Sequence, residues 1–315
     1  MPVTEPAPSE RPSVLAPYQD LLRLIDAGEF AVAREQITAR LDRSSTDAGA
    51  IWCAALVLSR QGDHQHAVQA YKKAVTLDAG FSFVQIPLPW GDEITIMDGS
   101  GSTWAADCYR ELVADIYGLR HLDLRPGEVV VDVGAHLGTI SIALARLYPG
   151  IRIIAIEPTT ANFTRMQANI ARNRVTGITA LQVAVGPRDE PVEMLWTPYD
   201  SAAANAKTGA ERRQLLLRHG WSSEIVQGRQ LDGIFAEHGI QSCRFLKLDC
   251  EGAEWDIFAA SECLNRVDTI GLELHVPDRH EAEGGEIMRK RFLAQLDRLT
   301  ARPRVAIASQ VWVRL

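Results

Sequence analysis

The stretch VVVDVGAHLGTISIALA, residues 129–145, decides the fold. Its first five residues are mostly valine, a β-branched residue that favours extended backbone, and they predict a buried strand over 129–133. Gly134 and Gly138 then break the run, and the apolar residues that follow recur at helical spacing, which predicts a helix over 138–147. A strand, a glycine turn and a helix in this order are typical of a nucleotide-binding unit, because glycine lets the backbone approach a ligand closely.

The same alternation of strand and helix continues on the carboxyl side of this stretch. It predicts an α/β fold with a parallel sheet covered on both faces, and such sheets bind ligands at the carboxyl ends of their strands. Further strands are predicted at 152–156, 179–185, 245–249 and 269–274, helices at 160–172, 254–260 and 285–299, and a closing pair of strands in the ending RVAIASQVWVRL.

The glycine turn favours a cationic nucleoside over a dinucleotide. A dinucleotide fingerprint needs glycine at 136 and 139, where this chain has His136 and Thr139. Asp132, two residues before Gly134, would repel a pyrophosphate but attract the ammonium and sulfonium groups of S-adenosylmethionine. A nicotinamide-dependent dehydrogenase is the competing enzyme class, and this pattern speaks against it.

The ends of the second and third strands complete the predicted cofactor site. Glu157 follows the second strand, 19 residues after Gly138, at the distance where an acid accepts the ribose hydroxyls. Ala184 and Val185 end the third predicted strand and are expected to border the adenine. The predicted cofactor-binding residues are Asp132, Gly134, Ala135, His136, Gly138, Glu157, Pro158, Ala184, Val185 and Asp249.

A series of motifs over residues 90–275 resembles the FkbM family of methyltransferases. In family order they are VVVDVGAHLGTIS, IEP followed by ANFTRMQANIARN, AVG, LDGI, FLKLDCEGAEWDIF and GLELH. The resemblance implies a class I, Rossmann-like, seven-stranded methyltransferase sheet and S-adenosylmethionine as the donor. It also implies a hydroxyl acceptor on a sugar or secondary metabolite. N-methylation of an amine or amide stays open, as does a non-catalytic scaffold that binds S-adenosylmethionine.

Methyl transfer from a sulfonium depends mainly on alignment, and a hydroxyl acceptor also needs a base. The predicted catalytic residues are Asp249 and Glu251, which follow the fourth strand, and His275, which follows the fifth as a neutral imidazole. The alternatives are that the two acids cap the next helix and that His275 is structural. No metal is required, although Asp249, Glu273 and His275, with Glu251 nearby, leave a magnesium site open.

The segment 187–228 is longer than a simple crossover, and loops at this edge of the sheet select the substrate. Trp196, Tyr199 and Trp221 are the predicted substrate residues, because aromatic rings stack on sugar faces and on aromatic acceptors. The bland alternative is that all three serve only local packing. The expected acceptor is a small molecule or a glycan.

The front of the chain resembles two tetratricopeptide repeats over residues 14–80. Gly28 and Gly62 are 34 residues apart, which is the period of that repeat, and Ala33 recurs as Ala67. An ordinary four-helix decoration is the alternative. We expect a disordered tail over 1–13, a lead-in over 81–128 and the methyltransferase domain over 129–315. Two repeats bury little surface alone, so they are expected to pack either on the domain behind them or on another chain, which leaves a homodimer or a protein partner open.

Composition excludes several classes of partner. The net charge is −7, from 33 Lys and Arg against 40 Asp and Glu, so the chain has no positive field for nucleic acid or an anionic membrane. The five scattered cysteines read as reduced thiols. The start MPVTEPAPSERPSV has neither the basic end nor the apolar run of an export signal, so a cytoplasmic location is expected.

Overall fold

The computed structural model describes residues 12–88, 92–197, 200–205, 210–273, 275, 290, 294, 304–307 and 311–313. The chain divides into two compact units. The first comprises Met1–Val113 with Ala168–Val175, and the second comprises Ala114–Gln167 with Thr176–Leu315. Among the described residues, no helix is both long enough and apolar enough to cross a membrane.

The first unit begins with helices that meet at tight turns. Gly28 and Gly62, both with positive φ, make the turns between the first and second helices and between the third and fourth. The side chains of Asp47 and Asp63 cap the third and fourth helices by accepting backbone N–H groups. After a 3-10 helix over Ser13–Tyr18 come α1 Gln19–Asp26, α2 Phe30–Arg43, α3 Ala48–Arg60 and α4 His64–Leu77.

An antiparallel hairpin of β1 Phe83–Pro87 and β2 Glu93–Met97, followed by helix α5 Trp104–Ala114, completes the first unit. The indole N–H of Trp52 donates to the carbonyl of Phe83 at 2.9 Å. On the other edge of the hairpin, Asn173 accepts from the N–H of Thr95 at 2.9 Å and donates to its carbonyl at 2.8 Å. The buried asparagine therefore pairs with the strand as another strand would.

The second unit contains a sheet in the order β13-β12-β11-β10-β3-β4-β5, in which only the edge strand β13 is antiparallel to its neighbour. Its strands are β3 Val129–Val133, β4 Arg152–Ile156, β5 Ile178–Leu181, β10 Phe245–Leu248, β11 Thr269–Leu272, β12 Arg304–Ile307 and β13 Val311–Val313. The helices that accompany it are α6 Thr139–Leu147, α7 Thr160–Arg172, α9 Leu231–Glu237 and α10 Glu254–Ala260. The strand order reverses between β3 and β10, and doubly wound sheets bind ligands at such a reversal.

A second sheet, in the order β6-β9-β7-β8, replaces the loop expected over 187–228. It consists of β6 Ala184–Val185, β7 Pro191–Thr197, β8 Asp200–Asn205 and β9 Ser222–Arg229, with helix α8 Ala210–Arg218 between the last two in the chain. The single strand predicted over 179–185 is therefore wrong. The chain leaves the main sheet after Leu181, and Ala184 pairs instead with Gly228 of β9.

Candidate functional site

The glycine turn after β3 needs bare backbone for a structural reason. Gly134 has φ +76°, and a Cβ there would fall well inside 3.0 Å of the backbone oxygen of Asp249, which follows β10. Gly138 has φ +80°, and a Cβ there would lie 2.9 Å from the Cγ of Met166. The N–H groups of Gly134 and Ala135 both donate to the carbonyl of Ile156 at 2.9 Å. The turn is thus pressed between the ends of β10 and β4.

The carboxylate of Glu157 forms a hydrogen bond to the backbone of the same turn. Its Oε2 accepts the N–H of His136, a residue at φ +52°, at 3.0 Å, and its Oε1 accepts the N–H and the hydroxyl of Thr159 at 3.1 and 2.7 Å. Burial raises the pKa of the carboxyl, and these hydrogen bonds oppose the rise. His136 and Pro158 are half-buried on either side of it. Glu157 therefore lies at the predicted cofactor edge, and its carboxylate is already engaged with the turn.

Asp132 does not open onto a crevice, because its side chain is 0% exposed. One oxygen accepts the hydroxyl of Ser141 at 2.7 Å, and the other lies 3.4 Å from the ammonium of Lys247. Burial opposes the charged form of Lys247, but the carboxylates of Asp249 and Asp132 outweigh it and hold the lysine pKa above its ordinary value. The expected direct attraction between Asp132 and a cationic ligand is therefore replaced by a buried ion pair.

Asp249 contacts the same buried lysine as Asp132, but its carboxylate is partly exposed to solvent. Its side chain is 23% exposed, and its Oδ2 accepts the hydroxyl of Tyr117 at 2.8 Å and lies 3.2 Å from the Lys247 ammonium. Burial tends to raise the pKa of Asp249, but the Lys247 charge and the Tyr117 hydrogen bond lower it overall. The same tyrosine hydroxyl is 3.4 Å from Glu273, which follows β11. Asp249 is thus ionised at the switch point of the sheet.

Glu254 caps the turn that carries the next two candidates. It is 0% exposed, and its two oxygens accept the N–H groups of Cys250 at 2.7 Å and Gly252 at 2.9 Å. Helix α10 begins at Glu254 with no side-chain cap, so neither Asp249 nor Glu251 has the helix-capping role offered from sequence, and Glu254 holds the turn before the helix. Glu251 instead has φ +52° and a side chain that is 35% exposed. A non-glycine residue in this region stores strain, which tends to occur at functional sites.

His275 lies among acids. Its Nδ1 is 3.1 Å from Glu254, and its Nε2 is 3.7 Å from Glu251 and 3.8 Å from Glu273. Burial tends to lower its pKa, but the hydrogen bond to Glu254 and the nearby carboxylates raise it to about 9. The imidazole is therefore protonated at neutral pH, contrary to the neutral base expected from sequence. Burial also raises the pKa of Glu251 to about 7, and the His275 charge opposes that rise.

The same cluster has the composition of a cation site. Asp249, Glu251 and His275 each offer a ligand atom, and these atoms lie within 4.8 Å of one another. The sequence had considered these three residues together with Glu273, and the group whose ligand atoms lie this close contains Glu251 and leaves Glu273 out. Carboxylate oxygens suit magnesium, but the hydrogen bond between His275 and Glu254 already satisfies one nitrogen of the imidazole.

The two described aromatic candidates lie at one end of the second sheet. Trp196 of β7 is opposite Ser222 of β9, and Trp221 immediately precedes that serine, so the two half-buried indoles share this end. Two residues further along β9, Glu224 accepts the N–H of Thr160 at 3.0 Å, at the start of the helix that follows Glu157 and Pro158. This hydrogen bond joins β9 of the second sheet to the start of α7 beside the predicted cofactor edge.

Three sequence candidates remain, of which two are described. Tyr199 is outside the described residues. Ala184 and Val185 are buried strand residues of the second sheet, and the residues that follow the end of β5 are Gln182 and Val183.

Sequence reasoning missed Lys247 and Tyr117. A signal existed for the lysine, because a charged residue within the apolar run FLKL contradicts a fully buried strand unless an acid pairs with it. Tyr117 lies outside every motif and comes close to Asp249 only in three dimensions.

Known proteins share this chain's domain. Residues 132–299 match the family described as Methyltransferase FkbM domain. The chain is 30% identical over 194 residues to the 31-O-demethyl-FK506 methyltransferase FkbM of Streptomyces tacrolimicus, which covers 54% of this chain and 74% of that protein. It is 25% identical over 158 residues to Methyltransferase 1 of Beauveria bassiana, covering 46% and 64% of the two chains.

Among solved structures, the precorrin-6y C5,15-methyltransferase of Geobacter metallireducens aligns at 14% identity with a TM-score of 0.34, over 60% of this chain and 71% of that one. The family match covers more than half of the chain and includes the glycine turn, Glu157, Asp249 and His275. The chain belongs to the FkbM methyltransferase family.

Proposed function

We propose that the chain transfers a methyl group from S-adenosylmethionine to a hydroxyl of a sugar or secondary metabolite. The observation that carries the proposal is the position of Asp249. It is an ionised, partly exposed carboxylate, and its backbone packs against the Gly134 turn at the reversal of strand order. A negative charge beside a bare-backbone turn suits a donor that is cationic and has no phosphates. The printed name of the Streptomyces relative, a 31-O-demethyl methyltransferase, supports an oxygen acceptor.

The cofactor, when bound, supplies the electrophilic methyl carbon. Gly134, Ala135, His136 and Gly138 would hold its amino acid end, and Glu157 would accept hydrogen bonds from the ribose. Asp249, fixed by Tyr117 at 2.8 Å, orients the acceptor hydroxyl. Glu251 takes the acceptor proton, because it is partly exposed and free of the two capping bonds that occupy Glu254.

His275 is a positioning group in this scheme. Its protonated ring lies close to Glu251, Glu254 and Glu273 and offsets the repulsion among these three carboxylates. Trp196 and Trp221 would stack against the acceptor, and Tyr199, which precedes β8, is proposed to join them.

Labelled S-adenosylmethionine and a panel of hydroxylated and aminated acceptors test the proposal. Base-stable label on an oxygen is the expected product, while label on nitrogen would favour the N-methyltransferase alternative. No transfer despite tight S-adenosylhomocysteine binding would favour a scaffold. Activity that is lost with a chelator and restored by magnesium would assign Asp249, Glu251 and His275 to a cation; we expect chelation to leave turnover unchanged.

We further propose that α1 to α4 form two tetratricopeptide repeats that offer a protein or homodimer interface. In support, α2 and α4 begin 34 residues apart, and Ala33 and Ala67 are both fully buried. The domain boundaries at 14–80, 81–128 and 129–315 remain predictions. The cytoplasmic location also remains a prediction, and the five free cysteines are in keeping with it.

A further inference from the structure

Lys247 is a buried cation in the middle of an apolar parallel strand. It is 3% exposed in β10, between Leu246 and Leu248, which are both fully buried. Its register partners are Asp132 on β3 and Gly271 on β11. Burying a lysine ammonium costs free energy unless each of its N–H donors has a partner. The partners of Lys247 therefore indicate its role.

The ammonium has three N–H donors and three oxygens around it. It donates to the carbonyl of Gly134 at 2.9 Å and lies 3.2 Å from Asp249 and 3.4 Å from Asp132. One contact is with the glycine turn and one with the acid that we place beside the acceptor. The third contact is with a fully buried acid that has no exposure to any ligand.

Two aromatic rings pack near this cation, beside Gly271 of the neighbouring strand. A Cβ on Gly271 would lie 2.6 Å from the ring of Phe245 and 3.4 Å from the ring of Tyr117. The missing Cβ therefore makes room for the Phe245 ring, and the neighbouring Tyr117 ring has its centre 5.3 Å from the ammonium. Its hydroxyl reaches Asp249 from there, so the lysine and the tyrosine fix the same carboxylate.

We propose that Lys247 is a positioning residue that ties the Gly134 turn to Asp249 and so sets the distance between the donor and acceptor subsites. The functional part of this inference rests on the proposed methyl transfer. Asp132 serves to balance the buried charge, which leaves Asp249 as the acid of the pair that faces the reaction. The competing explanation is that Lys247 only compensates the charges of Asp132 and Asp249 and positions nothing.

A charge-matched double variant separates these explanations. Lys247→Met alone leaves the fully buried carboxylate of Asp132 uncompensated and close to that of Asp249, and it is expected to fold poorly. Lys247→Met combined with Asp132→Asn removes one positive and one negative charge, so the net charge of the three groups stays the same while the bond to the Gly134 carbonyl is lost. Arg244→Met is the control, because it removes the ion pairs with Asp268 and Glu128 at the opposite end of the same strand.

Amide hydrogen exchange, followed by mass spectrometry, measures how readily the backbone of the Gly134 turn opens. In the double variant, exchange across residues 134–138 is expected to accelerate by about tenfold, while helix α9 keeps its wild-type rate. Calorimetry with S-adenosylhomocysteine is expected to show about tenfold weaker binding. Arg244→Met is expected to match the wild type in both measurements.

Wild-type exchange across 134–138 in the double variant would overturn the proposal, because the turn would then hold its place without the lysine. Faster exchange in the turn and in α9 alike would also overturn it, since that indicates general destabilisation. Failure of the wild-type protein to bind S-adenosylhomocysteine would remove the proposed function instead, and the exchange rates would still decide whether Lys247 holds the turn.

Discussion

Replacing Gly134 with alanine perturbs the cofactor turn with the smallest possible side chain. The backbone at this position has φ +76°, where a Cβ costs about 1–2 kcal/mol. The Cβ would also strike the backbone oxygen of Asp249, and backbone adjusts to such overpacking at a further cost of about 1–3 kcal/mol. We therefore expect Gly134→Ala to lower the free energy of unfolding by about 2–5 kcal/mol.

Gly127→Ala separates the two costs. Gly127 has φ +86°, and a Cβ there meets no atom within 4 Å, so this variant carries the conformational cost without the collision. Urea unfolding of both variants gives the difference, and calorimetry with S-adenosylhomocysteine should show about tenfold weaker binding for Gly134→Ala alone. Equal losses of stability in the two variants, with equal and undiminished affinity, would refute the reasoning about the turn.

Three further predictions concern single side chains. Asp249→Asn is expected to lower kcat about 100-fold and to weaken S-adenosylhomocysteine binding far less, because the acid orients the acceptor and the demethylated product has no sulfonium charge to attract; unchanged turnover would remove it from the mechanism. Glu157→Ala should weaken S-adenosylhomocysteine binding about tenfold by calorimetry, since the N–H of His136 loses its acceptor; equal affinity would contradict this. Asn173→Ala should lower the free energy of unfolding by about 2–4 kcal/mol, because the buried N–H and carbonyl of Thr95 lose their partner; a change under about 0.5 kcal/mol in urea would contradict it.

Hydrophobic periodicity and runs of β-branched residues were sufficient to predict the central strands and helices. The strands predicted at 129–133 and 152–156 and the helices at 160–172 and 254–260 are confirmed, because long apolar patterns bounded by glycine or proline leave little choice. The closing pair of strands is also present. The helix expected over 285–299 lies outside the continuously described residues.

Pairing between segments that are distant in the chain could not be predicted from local sequence patterns. The run TALQVAV has the composition of one strand, but its last residues pair with β9, more than 40 positions later in the chain. The loop expected at 187–228 forms a sheet for the same reason. Sequence placed Asp249, Glu251 and His275 at strand ends, but it showed neither that Glu254 caps the turn nor that His275 carries a proton.

The structure assigns the negative charge of the site to a different residue from the one expected from sequence. Sequence placed that charge at Asp132, where a buried ammonium now neutralises it. Asp249 keeps partial exposure and a lowered pKa, and it lies against the same turn. The attraction for a cationic donor is therefore assigned to the end of β10.

Titration of the wild-type protein with S-adenosylhomocysteine in a calorimeter tests the proposed cofactor site most directly. We predict saturable binding at one site per chain, with no heat from a nicotinamide dinucleotide under the same conditions. A flat titration with S-adenosylhomocysteine, repeated with S-adenosylmethionine, would contradict the assignment of the Gly134 turn and Asp249 to an adenosyl donor.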